Sequence, residues 1–305
     1  MPASRVTEEF DVVCVGSANL DTIVAVDHVP VDDERLTSTS FVTAGGGPAA
    51  TAAVALSRLG VRVAMCGVVG DDAAGEKVRE SLESEHVDTR YLRTDSYATT
   101  PTAVILASGS TGGRSIVTTV APSPRVDDIP IGISRWIHVD QTGYASAHRA
   151  IQRADDDALL SVDAGNPIRG LKLAGVELYA PTVSALRARY PGLDLAAACR
   201  AAIDEGARHV VATAGSDGTW VAMPDGIEKV RSFAVDVVST LGAGDVFHGA
   251  LLAGLVRDLP LDEAVLQANW AAAVACTALD GRSGIPTLEQ LQVFLAPDSQ
   301  VGRVG

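Results

Sequence analysis

Residues 237–251, VVSTLGAGDVFHGAL, constrain this chain more than any other stretch. An apolar strand end is expected to run into Gly242-Ala243-Gly244, then Asp245, then an apolar helical pattern over about 244–257. Glycine and alanine let a backbone come close to a ligand. The N–H groups that open a helix have no partner inside it, and the helix dipole is positive there. Together they form a pocket for an anion. Asp245 stands at the same helix start and allows two readings. It is an N-cap, since aspartate is a favoured cap. Or it is a general base, taking a proton from a hydroxyl that attacks a phosphate held in the pocket.

Charge narrows the partners. With 24 Lys+Arg against 38 Asp+Glu the formal net charge is −14. Such a surface argues against nucleic-acid backbones and anionic membranes. An anionic substrate must then be met by local cations or backbone amides. Four cysteines stand far apart, without CxxC or a Cys/His cluster. They read as reduced, buried thiols of a cytoplasmic protein. No apolar run reaches transmembrane length, and the 305 residues suffice for one large core with a small appendage.

Residues 11–16 (DVVCVG) read as a buried strand. Asn19 and Asp21 follow at its carboxyl end, where open α/β sheets bind ligands. Spaced by two, they share a face in extended chain. They either grip sugar hydroxyls or serve as turn residues. Weakly apolar strands at 21–28 and 36–43, around the polar turn 31–35, suggest a small β flap. Strands at 89–94, 102–107 and 115–120 are expected to complete it. Beyond Trp136, strands and helices alternate, which means α/β with a mostly parallel sheet. The tail after Ala296 is expected to be loose.

Three glycine-rich stretches remain. Gly45-Gly46-Gly47-Pro48 opens a helix of small residues closed by Gly60. It is neither GxxxxGK[ST] nor GxGxxG after a strand. Tight packing accounts for the alanines, and a ligand role for the consecutive glycines. Thr213-Ala214-Gly215-Ser216-Asp217-Gly218 ends a strand with a hydroxyl and two glycines. It suits nucleotide phosphates or ribose, and equally a hairpin turn. Asp280-Gly281-Arg282-Ser283-Gly284 follows an Ala-rich helix and reads as an adenine-pocket wall or as a plain helix-ending loop.

In order, GGGPAATAAVALSRLG, GDDAAG, TAGSDG, STLGAGDVFHGALLAGL and GRSGIP resemble the ribokinase (PfkB) family of carbohydrate kinases over roughly residues 11–295. The resemblance implies a Rossmann-like three-layer α/β/α domain over 1–305, with a β lid from about 21–43 and 89–120, often used for homodimerisation. It implies transfer of the ATP γ-phosphoryl group to a sugar hydroxyl with Mg²⁺. It makes Asp245 the catalytic base, with Gly242, Ala243 and Gly244 as the anion hole. It places Asn19, Asp21, Gly46, Gly47 and Thr51 at the substrate. Thr213, Gly215 and Gly218 fall at the nucleotide, with Gly281 on the adenine loop.

Within the family the wording is similar to bacterial sulfofructose kinases, which implies 6-deoxy-6-sulfofructose as substrate, with Arg35 as the lid cation. Three departures stand out. Gln141-Thr142-Gly143 lacks the arginine expected beside a sulfonate. Ala180-Pro181-Thr182-Val183 replaces the NxxE motif linked to Mg²⁺, leaving Asp163 and Glu177 as substitutes. Ser239 replaces an aspartate that helps bind a monovalent cation. The alternatives are a fructokinase- or ribokinase-like enzyme for a non-sulfonated sugar, and a non-catalytic sugar sensor. A dehydrogenase would need GxGxxG in the first βα turn, where this chain has GSANLD.

Overall fold

The computed structural model describes residues 8–110 and 113–296, so the tail after Ala296 lies outside the described residues. Two apolar runs set the centre. β1 (Phe10–Val15) and β4 (Val63–Gly70) are almost wholly buried. Strands buried on both faces read as continuous apolar runs, as parallel strands must. Around them stand β5 (Leu92–Asp95), β8 (Ser134–Val139), β9 (Leu159–Ala164), β10 (Leu178–Pro181), β11 (His209–Thr213), β12 (Thr219–Met223) and β13 (Gly226–Val230). The order is β13-β12-β11-β10-β9-β8-β1-β4-β5, parallel from β5 to β11 and closed by an antiparallel hairpin.

Helices cover both faces. One face carries α1 (Pro48–Arg58), α2 (Ala73–Ser84), α6 (Ala243–Val256), α7 (Leu261–Ala275) and α8 (Leu288–Leu295). The other carries α3 (Tyr144–Ala154), α4 (Val183–Arg189) and α5 (Leu195–Asp204). This is the three-layer α/β/α arrangement. The strand order reverses at β1, whose neighbours are β4 and β8. In such sheets ligands bind beyond the carboxyl ends at that switch point. Asp140, at the end of β8, ties the two ends together there. Its buried carboxylate accepts from the Ser17 amide and hydroxyl, both at 2.8 Å, and from the amides of Thr142 and Gly143.

A second sheet holds β2 (Asn19–Val26), β3 (Ser40–Gly46), β6 (Thr102–Ser108) and β7 (Arg114–Thr118), in the order β3-β2-β6-β7. Only the β2–β6 pair is parallel. Its inner face, Ile23, Ala103, Ile105 and Ala107, packs on Leu241 in a small core of its own. This is the lid, with a correction. The strand expected in it at 89–94 is β5, which pairs with β4 at the edge of the main sheet. A run as short as LRTD, with a single apolar residue, carries no periodicity that could tell the two sheets apart. The chain before Gly242 also differs from expectation. Residues 231–240 form no strand, and Val237 and Val238 stay half exposed. The amides of Val238 and Ser239 instead both donate to the Cys276 carbonyl.

Candidate active site

Two cavities open beyond the carboxyl ends of the strands. The first, about 530 Å³, lies under the lid. The second, about 850 Å³, runs along the β12–β13 hairpin and α7. They meet at Arg114, Thr182, Thr213 and Gly244, which line both. Asp245 lines the first cavity at this junction.

The start of α6 explains the junction. Gly242 is the N-cap residue in left-handed conformation (φ 73°), and no side chain caps the helix. Asp245 is therefore not the N-cap; it sits in the first turn with its carboxylate at the cavity. Burial pushes its carboxyl up to about 7, helped by the charge of Asp163 and opposed by His248 and Arg114. Gly242 and Gly244 line the first cavity and Ala243 and Gly244 the second, so the helix start lies at this junction, where Ala243 N–H makes a long bond, 3.4 Å, to the Thr240 carbonyl. Gly242 fits only as glycine here, because a Cβ would stand 2.8 Å from the Cα of Gly281.

One turn beyond Asp245, His248 Nδ1 lies 3.1 Å from Asp163 Oδ2, with both side chains buried. Burial works most strongly against charge on both groups, but their mutual attraction together with neighbouring groups outweighs it, so the imidazole is raised and the carboxyl lowered. Asp163, on β9, also accepts from the Gly165 amide and lines the first cavity. Behind them His138 bonds Ser161, and burial with the nearby His248 pushes it down to about 3. It is held neutral.

Under the lid, Asn19 and Asp21 line the first cavity from β2. Each has a buried Oδ1 without a hydrogen-bond partner among the described residues. A buried acceptor left unpaired costs about 1–3 kcal/mol, so these two atoms ask for donors. Burial pushes the Asp21 carboxyl up to about 6, against the opposing charge of Arg282.

The other anticipated residues distribute as follows. Gly47 lines the first cavity, whereas Gly46 lies behind it against the Asp21 carboxylate. Thr51 is buried in α1 and meets Arg282 rather than the cavity. Thr213 and Gly215 line the second cavity; Gly218 falls just outside it, beside Thr219. Gly281 supports Gly242 from below instead of walling a pocket. Arg35 is exposed on the loop between β2 and β3 and does not line the cavity. A lid arginine does reach the site, but from β7: Arg114 donates to Thr240 Oγ1 at 2.6 Å. Glu177 stands at the opposite end of the strands, paired with Arg208 at 3.3 Å. Of the two carboxylates considered in place of NxxE, Asp163 alone reaches the cavity.

A lid over one cavity, a helix N-terminus at the junction and a carboxylate beside it suit transfer of an anionic group to a neutral acceptor. The chain matches the family model described as pfkB family carbohydrate kinase over residues 9–128 and 191–288, and it belongs to that family. The unmatched middle contains the Ala180–Val183 stretch. The chain is 27% identical to a ribokinase of Haemophilus influenzae, over 92% of this chain and 97% of the relative. It is 30% identical to an ATP-dependent ribose-1-phosphate kinase of Halopiger xanaduensis, over 93% and 98%. Among solved structures, Thermotoga maritima ribokinase superposes with a TM-score of 0.82 at 23% identity, covering 94% of this chain and 99% of that one. The protein is a sugar kinase, a phosphotransferase with an alcohol group as acceptor.

Proposed function

We propose that the protein transfers the γ-phosphoryl group of ATP to a hydroxyl of a small uncharged sugar, with Asp245 as general base. The observation that carries this is the position of Asp245 where the two cavities meet. The sugar lies in the first cavity and donates hydroxyl hydrogens to Asn19 and Asp21. A hydrogen bond to a charged acceptor contributes about 1.5–3 kcal/mol. The nucleotide lies in the second cavity with its phosphates at the start of α6. Asp245, raised toward neutrality, takes the proton of the attacking hydroxyl, which is worth about 10²–10⁴ in rate. The helix amides and Arg114 meet the charge on the transferring group. Asp163 fits Mg²⁺, which binds through one or two carboxylates together with substrate phosphates and neutralises phosphate charge.

The narrower reading, 6-deoxy-6-sulfofructose, asks for a cation at the far end of the sugar. Arg114 is the single arginine or lysine lining the first cavity among the described residues, and it faces the phosphate loop. The remaining wall offers Gln141, Asn166, Thr118 and Thr119, which favours a neutral ketose or pentose. A homodimer through the lid is supported by its outer face. Phe41, Val104 and Val117 stand exposed there on β3, β6 and β7, three of its four strands. The four free, buried cysteines support a cytoplasmic location.

The test is ADP release across ribose, fructose, sulfofructose, fructose phosphates, tagatose phosphate, ketodeoxygluconate and adenosine. Ribose or fructose should be turned over fastest. Preference for sulfofructose would overturn the neutral-sugar reading, and no sugar-dependent ADP release at all would overturn the whole.

A further inference from the structure

Arg282 is a buried guanidinium in a loop that the reaction above leaves unused. It is 5% exposed, yet makes no ion pair among the described residues. Its hydrogen bonds end on neutral oxygens: Nη2 on the Gly46 carbonyl at 3.0 Å, Nη1 on Ser81 Oγ at 3.3 Å, Nε on Thr51 Oγ1 at 3.4 Å. A buried charge without a direct counter-ion is costly, so its retention in this place wants a cause.

Its surroundings supply one. Gly46 ends β3 at the base of the lid, and a Cβ on Gly46 would strike the Asp21 carboxylate, so carboxylate and backbone are in contact there. The neighbouring Gly45 lies against the guanidinium itself. Three glycines in a row are thus explained in part by two side chains, Arg282 and Asp21, crowding one backbone segment. From behind, Arg58 fixes the loop by donating to the carbonyls of Arg282 and Ile285, and Glu85 fixes Arg58 at 2.6 Å. The residue before Arg282 is Gly281, which supports Gly242.

We propose that Arg282 is a positioning residue of the sugar site: it clamps the base of the lid to the loop beneath the anion pocket and supplies the fixed positive charge behind Asp21. Arg282 is the charged group whose attraction Asp21 feels from the elements packed on it. Arg282 in turn feels Asp21, Glu85, Asp245 and Asp280. Removing it leaves Asp21 buried with no cation, so the carboxyl holds its proton to higher pH. A protonated Asp21 is a poorer acceptor for a sugar hydroxyl. This last step rests on the reading of Asp21 as a sugar ligand; the clamp and the charge coupling do not.

The experiment separates the two. With aspartate labelled at the carboxyl carbon, the Asp21 resonance is assigned by its loss in Asp21→Asn and titrated by NMR. The midpoint should rise by about one pH unit or more in Arg282→Gln and stay within about half a unit in Arg282→Lys. An unchanged midpoint in Arg282→Gln overturns the proposal. Should that variant fail to fold, the wild-type protein decides. The Arg282 Nε resonance should follow the Asp21 midpoint and lose that inflection in Asp21→Asn; an inflection that survives the substitution overturns it. In the folded Gln variant, KM for D-ribose or D-fructose should rise at least about tenfold near pH 7 with kcat within about threefold. That gap should narrow as pH rises, whereas a pH-independent loss would leave only a packing role and overturn the charge assignment. If the wild-type enzyme turns over neither sugar, the sugar assignment fails while the NMR arms still judge Arg282.

Discussion

Gly242 and Gly244 flank a single alanine, but a methyl group added at each meets different surroundings. At Gly242 the backbone is left-handed, and the new Cβ would stand 2.8 Å from Gly281 Cα and 2.9 Å from its carbonyl oxygen. The left-handed conformation costs alanine about 1–2 kcal/mol, and a methyl forced into filled space about 1–3 kcal/mol. Gly242→Ala should therefore lose about 2–5 kcal/mol, seen as a fall in Tm of roughly 4 °C or more. At Gly244 nothing lies within 4 Å of the Cβ, and the residue is helical. Alanine is the better helix former by up to about 1 kcal/mol, so Tm should hold or rise. Gly244 lines both cavities, at the junction where the proposed transfer would take place. A misplacement of about 1 Å costs about 10²-fold, so Gly244→Ala should lose at least that much kcat. Thermal unfolding and a coupled ADP assay on the same preparations read both. Wild-type turnover by Gly244→Ala would refute the placing of the phosphoryl group. Wild-type Tm in Gly242→Ala would refute the packing argument.

Asp245→Asn should keep the fold and nucleotide binding while kcat drops at least about 10²-fold; near-normal turnover removes the base assignment. If Asp245 is the general base it must be ionised to act, and with its carboxyl pushed up to about 7, kcat/KM should fall as pH drops below neutrality. A pH–rate profile flat down to about pH 5 contradicts this. Arg114→Ala should lower kcat/KM by roughly tenfold or more, the loss of one charged hydrogen bond of about 1.5–3 kcal/mol. Arg35→Ala, out in solvent, should change it less than about twofold; the reverse order in steady-state kinetics would return the lid cation to Arg35. Ser239 is buried, and its hydroxyl accepts from the Leu241 amide at 3.2 Å. Lacking a carboxylate there, the enzyme should vary less than about threefold when K⁺ is exchanged for a large organic cation at fixed ionic strength, and Ser239→Asp should create a K⁺ response. One full charge at about 3 Å amounts to roughly 5 kcal/mol at an effective dielectric near 20, before desolvation. Saturable activation of the wild type by millimolar K⁺ would contradict the first half.

What was legible in the chain was local. The DVVCVG run becomes β1, the GGGP opening becomes the start of α1, and GAGD becomes the start of α6 within a residue or two. Such features are written in consecutive residues, as periodicity, caps and glycine. The misplaced features depend on distant partners. Arg282 reaches Gly46 across 236 positions and Thr51 across 231, from a loop whose own sequence says only that a helix has ended. Arg35 and Arg114 both lie in the lid region, and nothing near either shows which one the sheet turns inward. His248 reads as one more member of an apolar helix; its meaning comes from Asp163 arriving on β9. Asn19 and Asp21 stood out because period two fixes a shared face before any tertiary contact is known.

Leu241 carries a consequence for how the enzyme treats water. It is the residue immediately before the anion pocket, and its side chain is covered by the inner face of the lid. Raising the lid would expose a leucine whose burial contributes about 1.5–3 kcal/mol, and would take the ceiling off the loop that precedes Gly242. Seating the lid and keeping Leu241 out of water are therefore one event. On the proposed placing of the phosphates at the start of α6, a seated lid would shield the loop that leads into that site from bulk solvent, which would favour transfer to the sugar over hydrolysis.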